Sequence, residues 1–415
     1  MTTNRPDAER VVITGIGLCS PIGNTIDEVS EALREKRHGI ATMSEWDEID
    51  RLGTRLAGPV PSVHRKLFAR KAVRTMGRVA ILSVFATDSA IADAGLDEEL
   101  LASGRVGLAH GSTHGSSAAT AEFCQTIFEH GRSLKGVQGS LYLKFMSHTT
   151  AANLAMHYKI RGRVITTCSA CVSSSQAIGY AYEAVRSGKQ EVMVAGGAEE
   201  LHFTHAGVFD VMYATSTKYN ERPELSPRPF DANRDGLVVG EGAATVILES
   251  LERAKARDAH IYGEILGYGT NCDGMHVTRP SWEGMAGAMK LALEDSGVAT
   301  DTLGYINAHG TATDAGDIAE SKATQHVLGE SLPISSTKSY TGHTLGACGG
   351  IEAIFCLAML RDDFLPPTRN LEEVDERCAP LNYITGDAVQ AHVDRIVTNN
   401  FAFGGINTSL VLGRV

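Results

Sequence analysis

An α/β class with largely parallel or mixed sheets is predicted by three features of this sequence: short apolar strands alternate with amphipathic helices along the chain, several strands end in glycines, and one strand–turn–helix unit occurs twice. "RVVITGIGLCSPIGN" opens with a buried strand, Val11 to Thr14, that runs into a Gly-rich turn. Its G-x-G invites a dinucleotide reading. Ser20, however, stands where a third glycine belongs and no acidic residue is suitably placed, so nucleotide binding is not expected. "TIDEVSEALREKRHG" follows as an amphipathic helix with acids early and bases late, matching the helix dipole. A longer helix is predicted from about Val73 to Ala94, stopping at Gly95. "RVGLAHGS" and "EVMVAGGAE" read as short apolar strands.

The repeated unit begins with a strand over Val164–Thr167. It leads to Cys171 and a helix whose apolar positions, Ile178, Ala181, Tyr182 and Val185, fall at helical spacing before Gly188. "PISSTKSYTGHTLGACGGIEAIFCLAMLRDD" follows the same plan: a strand over 334–337, a polar Gly-rich turn, then a helix with apolar Ile351, Ile354, Phe355 and Ala358. Both helices start among small residues, where another backbone can come close. This echo predicts two similar halves, 1–257 and 258–415. "ERPELSPRPFDANRDG", residues 221–236, reads as a surface loop.

A length of 415 residues suits two such units. The eight cysteines are scattered, which points to reduced thiols and a cytoplasmic location. The start, "MTTNRPDAER", lacks the plan of a signal peptide, and no apolar run approaches the ~20 residues that cross a bilayer, so no membrane partner is expected. A formal charge of −11 argues against nucleic-acid binding. Against that background "RKLFARKAVRTMGR", residues 65–78, holds six basic residues and no acid. It reads either as a solvated helix face or as a dock for an acidic partner.

Three turns carry reactive groups. Cys171 is expected at a helix N-terminus, where unpaired amides favour a thiolate. "YINAHGTAT" delivers His309 at a strand end, and "SSTKSYTGHTLG" delivers Lys338 and His343. Each has a plainer reading, because a strand-end histidine is often structural and a buried cysteine, as Cys168 is read, is often a small hydrophobe. The C-S-A-C pair could be a redox or zinc half-site. No second cysteine or histidine pair follows at ligand spacing, and no proline lies inside the motif. One cysteine and two histidines on Gly-bounded turns make acyl-thioester chemistry the most economical reading.

"CSACVSSSQAIGYA", "NAHGTATDAGDIAE", "STKSYTGHTLGACGGIEA" and "NNFAFGGINTSL" resemble, in order and spacing, the signature segments of the elongating β-ketoacyl-acyl carrier protein synthases. The resemblance covers essentially the whole chain. It implies a thiolase-like α-β-α-β-α architecture of two similar halves with mixed five-stranded sheets. It also implies decarboxylative condensation of a Cys171-bound acyl chain with malonyl-carrier protein, in fatty acid synthesis or a specialised pathway such as aryl polyenes or polyketides. By position, His309 and His343 resemble the pair that promotes decarboxylation, and Lys338 with Glu352 the charge pair that orders them. Phe403 resembles the gate whose amide, with that of Cys171, forms the oxyanion hole. Thr311 and Thr313 match the hydroxyls that hold the phosphopantetheine arm. Arg70, Lys71, Arg74, Arg132 and Lys135 match or neighbour the grip on acyl carrier protein. No metal or redox cofactor is implied, and the partner subunit is a second copy or a related chain-length subunit. Two departures stand out. His114 falls where relatives line the far end of the acyl pocket with small or aliphatic residues, and Ala402 replaces a common glycine beside the gate. A thiolase is disfavoured, because His343 stands where thiolases carry a second cysteine. A non-catalytic partner subunit is disfavoured because the nucleophile is present.

Overall fold

A computed structural model of the protein describes residues 5–415. Five strands of the first half are β1 (Val11–Cys19), β2 (Val106–Gly111), β3 (Val164–Thr167), β4 (Val192–Glu199) and β5 (Gly242–Ser250). Five of the second are β6 (Gly263–Cys272), β7 (Tyr305–Asn307), β8 (Pro333–Ser335), β9 (Arg395–Phe401) and β10 (Ile406–Gly413). The first set is ordered β3-β2-β4-β5-β1 and the second β8-β7-β9-β10-β6, the same order in both halves. Directions match as well: β4–β2 and β2–β3 are parallel while β5 is antiparallel to both neighbours, and the second half repeats this. Val11–Ile13 pairs with Gly263–Ile265, so the two five-stranded sets are continuous through β1 and β6. Asn382–Tyr383 adds a short strand beside β8.

Every residue of β1 and β4 is buried, as strands covered on both faces require. Helix α1 (Arg78–Asp93) covers β1 and β5 from outside, and α3 (Trp282–Ser296) covers β6 and β10. Between the sheets lie α2 (Ser173–Arg186) and α5 (Cys348–Asp362), each touching strands of both halves, while α4 (Asp314–Leu328) packs on α3. Residues Cys348–Leu360 of α5 are all buried, the pattern of a helix with no solvent face. The G-x-G pairs follow from this packing. A Cβ on Gly15 or Gly17 would collide with the carbonyls of Ala90 and Ala86 in α1, and one on Gly267 or Gly269 with those of Ala292 and Ala288 in α3. These glycines let a helix backbone approach the strand.

Two sequence expectations are corrected. The helix expected from Val73 starts at Arg78, and Arg65–Leu67 is a single 3₁₀ turn, so the basic run is a loop surface and not a helix face. Arg78 itself is withdrawn into an ion pair with Glu241, at 2.6 Å. Cys171 lies in a 3₁₀ turn, Ala170–Val172, just before α2 rather than within the helix.

Candidate active site

The chain leaves β3 and turns sharply before α2. Ala170 adopts φ +48°, a left-handed conformation that side chains rarely take. Ser173 Oγ staples the turn, accepting from the Ser169 amide (2.9 Å) and donating to the Ala170 carbonyl (2.8 Å). Cys348 Sγ donates to the Cys171 carbonyl from α5 (3.2 Å). His309 follows β7 by two residues. Glu320 of α4 fixes its backbone by accepting the amides of His309 (2.7 Å) and Gly310 (2.6 Å). His343 is clamped on both sides, its amide donating to Val238 O (2.7 Å) and its carbonyl accepting from the Gly240 amide (2.8 Å).

These supports bring Cys171, from the first half, to both histidines, from the second. His343 Nε2 lies 2.9 Å from Cys171 Sγ. The rings of His309 and His343 stand at 89° with centroids 5.1 Å apart, and one donor atom from each of the three residues falls within 4.8 Å of the others. All three side chains are buried. Below them Lys338 Nζ pairs with Glu352 Oε1 at 2.5 Å, and Asn400 Nδ2 donates to Glu352 Oε2 at 2.7 Å.

Burial decides the resting charges. It pushes the Cys171 thiol up to about 12, against the pull of Lys338. Burial, and then the Lys338 ammonium, hold both imidazoles well below their ordinary range. The expected resting thiolate is therefore replaced by a neutral thiol beside a neutral imidazole, because the sulfur lies short of the helix and away from water. Burial opposes the Lys338 charge as well, but Glu352 together with Cys348 and Glu320 more than offsets it and keeps the ammonium above its ordinary range.

A cavity of about 600 Å³ opens over this group, lined by Cys171, His309, His343, Thr311, Thr313 and Phe403 among others. The two threonine hydroxyls lie 2.9 Å apart. The Phe403 ring is 5.5 Å from that of Phe209, and its amide has no backbone hydrogen-bond partner, whereas those of Ala402 and Gly404 do. Arg70, Lys71, Arg74, Arg132 and Lys135 are exposed on the surface. His114 does not line this cavity and meets Ser117 and His205 instead. Cys168, expected to be buried, is exposed and donates to Thr113 O at 2.8 Å.

Sequence reasoning passed over Glu320, Asn400 and Glu199, each of which stands beside other polar residues (Ser321, Asn399, Glu200) with no spacing that singles it out. Glu199 ends β4 and accepts three hydrogen bonds at Oε2, from Thr113 N, Thr113 Oγ1 and Gly346 N, while Oε1 has no partner. Burial pushes its carboxyl from 4.5 up to about 8. The folded state thus binds a proton that the unfolded state gives up near 4.5, so this contribution to stability is complete below that pH and is lost as pH rises through about 8. Glu199→Gln keeps the triple acceptor and has no proton to lose. Thermal melts across this window should fall less steeply for the variant than for the parent, and equal slopes would contradict the assignment.

Residues 8–254 match the family described as beta-ketoacyl synthase, N-terminal domain, and residues 262–372 match its C-terminal domain. The chain is 42% identical to the 3-oxoacyl-[acyl-carrier-protein] synthase 1 of Haemophilus influenzae over 410 residues, covering 98% of this chain and 99% of that protein. Among solved structures, a beta-ketoacyl synthase from Burkholderia phymatum superposes with a TM-score of 0.94 at 50% identity, covering 98% of this chain and 99% of that one. The ishigamide ketosynthase/chain length factor superposes at 0.89 and 32% identity, with the same coverage. With a cysteine from one half facing two imidazoles from the other, and with matches of this extent, the chain belongs to the beta-ketoacyl synthase family.

Proposed function

We propose that this protein is a 3-oxoacyl-acyl carrier protein synthase that condenses a Cys171-bound acyl chain with malonyl-carrier protein. The observation that carries the reading is the approach of His343 Nε2 to Cys171 Sγ within a buried cavity that also holds His309. As the sulfur attacks the acyl thioester, its proton leaves toward His343 and passes to the departing carrier thiol, so the charge balance closes. Malonyl-carrier protein then enters and loses CO₂. The resulting enolate oxygen is met by the imidazoles of His309 and His343, which burial has kept neutral; His343 carries its single ring proton on Nδ1 while it accepts from the thiol and on Nε2 when it meets the enolate. The carbanion attacks the acyl-enzyme, the Cys171 and Phe403 amides receive the developing oxyanion, and as it collapses a 3-oxoacyl chain two carbons longer departs while the Cys171 sulfur, released as thiolate, takes up one proton from solvent to restore the thiol. Loss of CO₂ drives the step, and no metal or redox cofactor takes part.

Thr311 and Thr313 line the cavity as hydroxyls suited to the carrier's phosphopantetheine arm. The exposed bases Arg70, Lys71, Arg74, Arg132 and Lys135 suit docking of an acidic carrier protein to a chain of net charge −11. We assign housekeeping fatty acid synthesis as the primary pathway. A specialised ketosynthase is the second reading, favoured by His114, which the family resemblance sets at the far end of the acyl pocket although it lies outside the cavity over Cys171. Self-association is the assembly we assign, with a related chain-length subunit as the alternative. A cytoplasmic location is supported by eight free cysteines, and no helix among the described residues is long and apolar enough to cross a membrane.

The test supplies purified enzyme with acyl- and malonyl-carrier protein and measures CO₂ together with 3-oxoacyl product. Equal amounts of the two are expected. Release of CO₂ without chain extension, or neither, would refute the reading.

A further inference from the structure

Two arginines, Arg234 and Arg279, line the cavity over Cys171, and the fold uses only the first. Arg234 faces three carboxylates: Asp375 at 2.6 Å, Asp314 at 3.6 Å and Asp317 at 3.7 Å. Arg279 lies on segment 273–281, which connects β6 to α3. Two backbone bonds tie that segment to the gate. The Gly404 amide donates to Val277 O (2.7 Å), and the Asp273 amide donates to Gly405 O (2.9 Å). His276 Nδ1 holds the turn within it, accepting the amides of Thr278 and Arg279, each at 3.1 Å. The backbone of Arg279 is thus held at the cavity wall beside Phe403, and the residue is exposed.

Among the described residues the Arg279 guanidinium forms no ion pair and no hydrogen bond. The acids on the same lining are taken elsewhere. Asp314 pairs with Arg377 at 2.5 Å, and Glu320 accepts the His309 and Gly310 amides. Asp235 accepts the amides of Thr217 and Lys218, each at 2.8 Å, and Asp273 that of Met275 at 3.1 Å. An arginine at an opening with no carboxylate to neutralise it suits an anion that arrives with the substrate. Burial orders the lining by depth: Cys171, His309, His343 and Thr311 are buried, Thr313 is half-buried and Arg279 is exposed. The prosthetic arm carries its groups in the same order, first the thioester, then the amides, then the phosphodiester that joins it to the carrier. With the thioester at the sulfur and the amides beside the threonine hydroxyls, the arm's one charge falls at the open end, where Arg279 stands. A guanidinium can grip two phosphate oxygens at once through parallel N–H···O bonds.

We propose that Arg279 binds the phosphodiester of the carrier's phosphopantetheine arm and thereby places the thioester for attack by Cys171. The proposal rests on Cys171 being acylated from an acyl carrier protein. It is tested with two carrier-free thioesters of one acyl chain on pantetheine, whose primary hydroxyl is either free or carried as a methyl phosphodiester. Acyl-carrier protein serves as the control. The phosphodiester should acylate Cys171 with a kcat/KM about fivefold higher, the upper range for an exposed ion pair, and added salt should shrink that ratio. Arg279→Gln should bring the ratio to about one, and Arg279→Lys should restore part of it. A wild-type ratio of one, or no reaction of either thioester, while acyl-carrier protein still acylates Cys171, overturns the proposal and spares the function. A preference that survives in Arg279→Gln overturns it as well. So does a loss confined to the carrier-bound substrate, which would assign Arg279 to the carrier's acidic surface. No acylation from acyl-carrier protein overturns both.

Discussion

His309→Ala and His343→Ala should each lower condensation with malonyl-carrier protein on the order of a thousandfold, the range for a group acting on the reacting proton or charge. Both variants should retain some self-acylation, because the nucleophile remains. The two are not equivalent. His343 Nε2 is the nitrogen hydrogen-bonded to the sulfur, and the thiol at rest is neutral, so His343→Ala should also slow acylation. His309 meets His343 edge-on and packs against Phe401, and its loss should spare acylation and remove decarboxylation. Acyl-enzyme formation and CO₂ release measured separately distinguish these steps. Undiminished condensation in either variant would contradict the two-histidine mechanism.

Lys338→Met should destabilise the protein by about 3–5 kcal/mol, the usual cost of leaving one partner of a buried ion pair alone. Lys338 is 1% exposed, and Glu352 sits inside a helix with no solvent face. Asn400 satisfies only one carboxylate oxygen, so Glu352 would have to take up a proton or admit water. Lys338→Met/Glu352→Leu removes both charges and should recover most of the stability, read as the urea midpoint. Activity should be lost in both variants, because the Lys338 charge is, after burial, the next cause holding His309 and His343 neutral. A single variant as stable as the parent would contradict the assignment of this pair.

Much of this site was legible in the chain because its groups lie at ends of regular elements. Cys171 precedes a helix, His309 follows a strand, and Lys338 and His343 flank a Gly-bounded turn, so periodicity located them and their chemistry singled them out. The halves were legible for a related reason: the same unit recurs, and the shared strand order confirms the echo between β3–α2 and β8–α5. What escaped depends on contacts between distant segments. The charge state of Cys171 is set by burial under separate segments of the chain, from Ala206 to Leu345, which local position cannot report. Glu199, Glu320 and Asn400 carry no sequence signal, because each stands beside another polar residue that reads the same way. The start of α1 was misplaced because Val73 and Met76 continue its apolar pattern, yet they are buried in turns rather than in the helix.

Peptide mass spectrometry of enzyme incubated with acyl-carrier protein tests the central claim most directly. The acyl group should appear on Cys171 alone, persist there in Cys168→Ser, and vanish in Cys171→Ser. An acyl group on Cys168, whose sulfur is exposed and bonded to Thr113, would contradict the account.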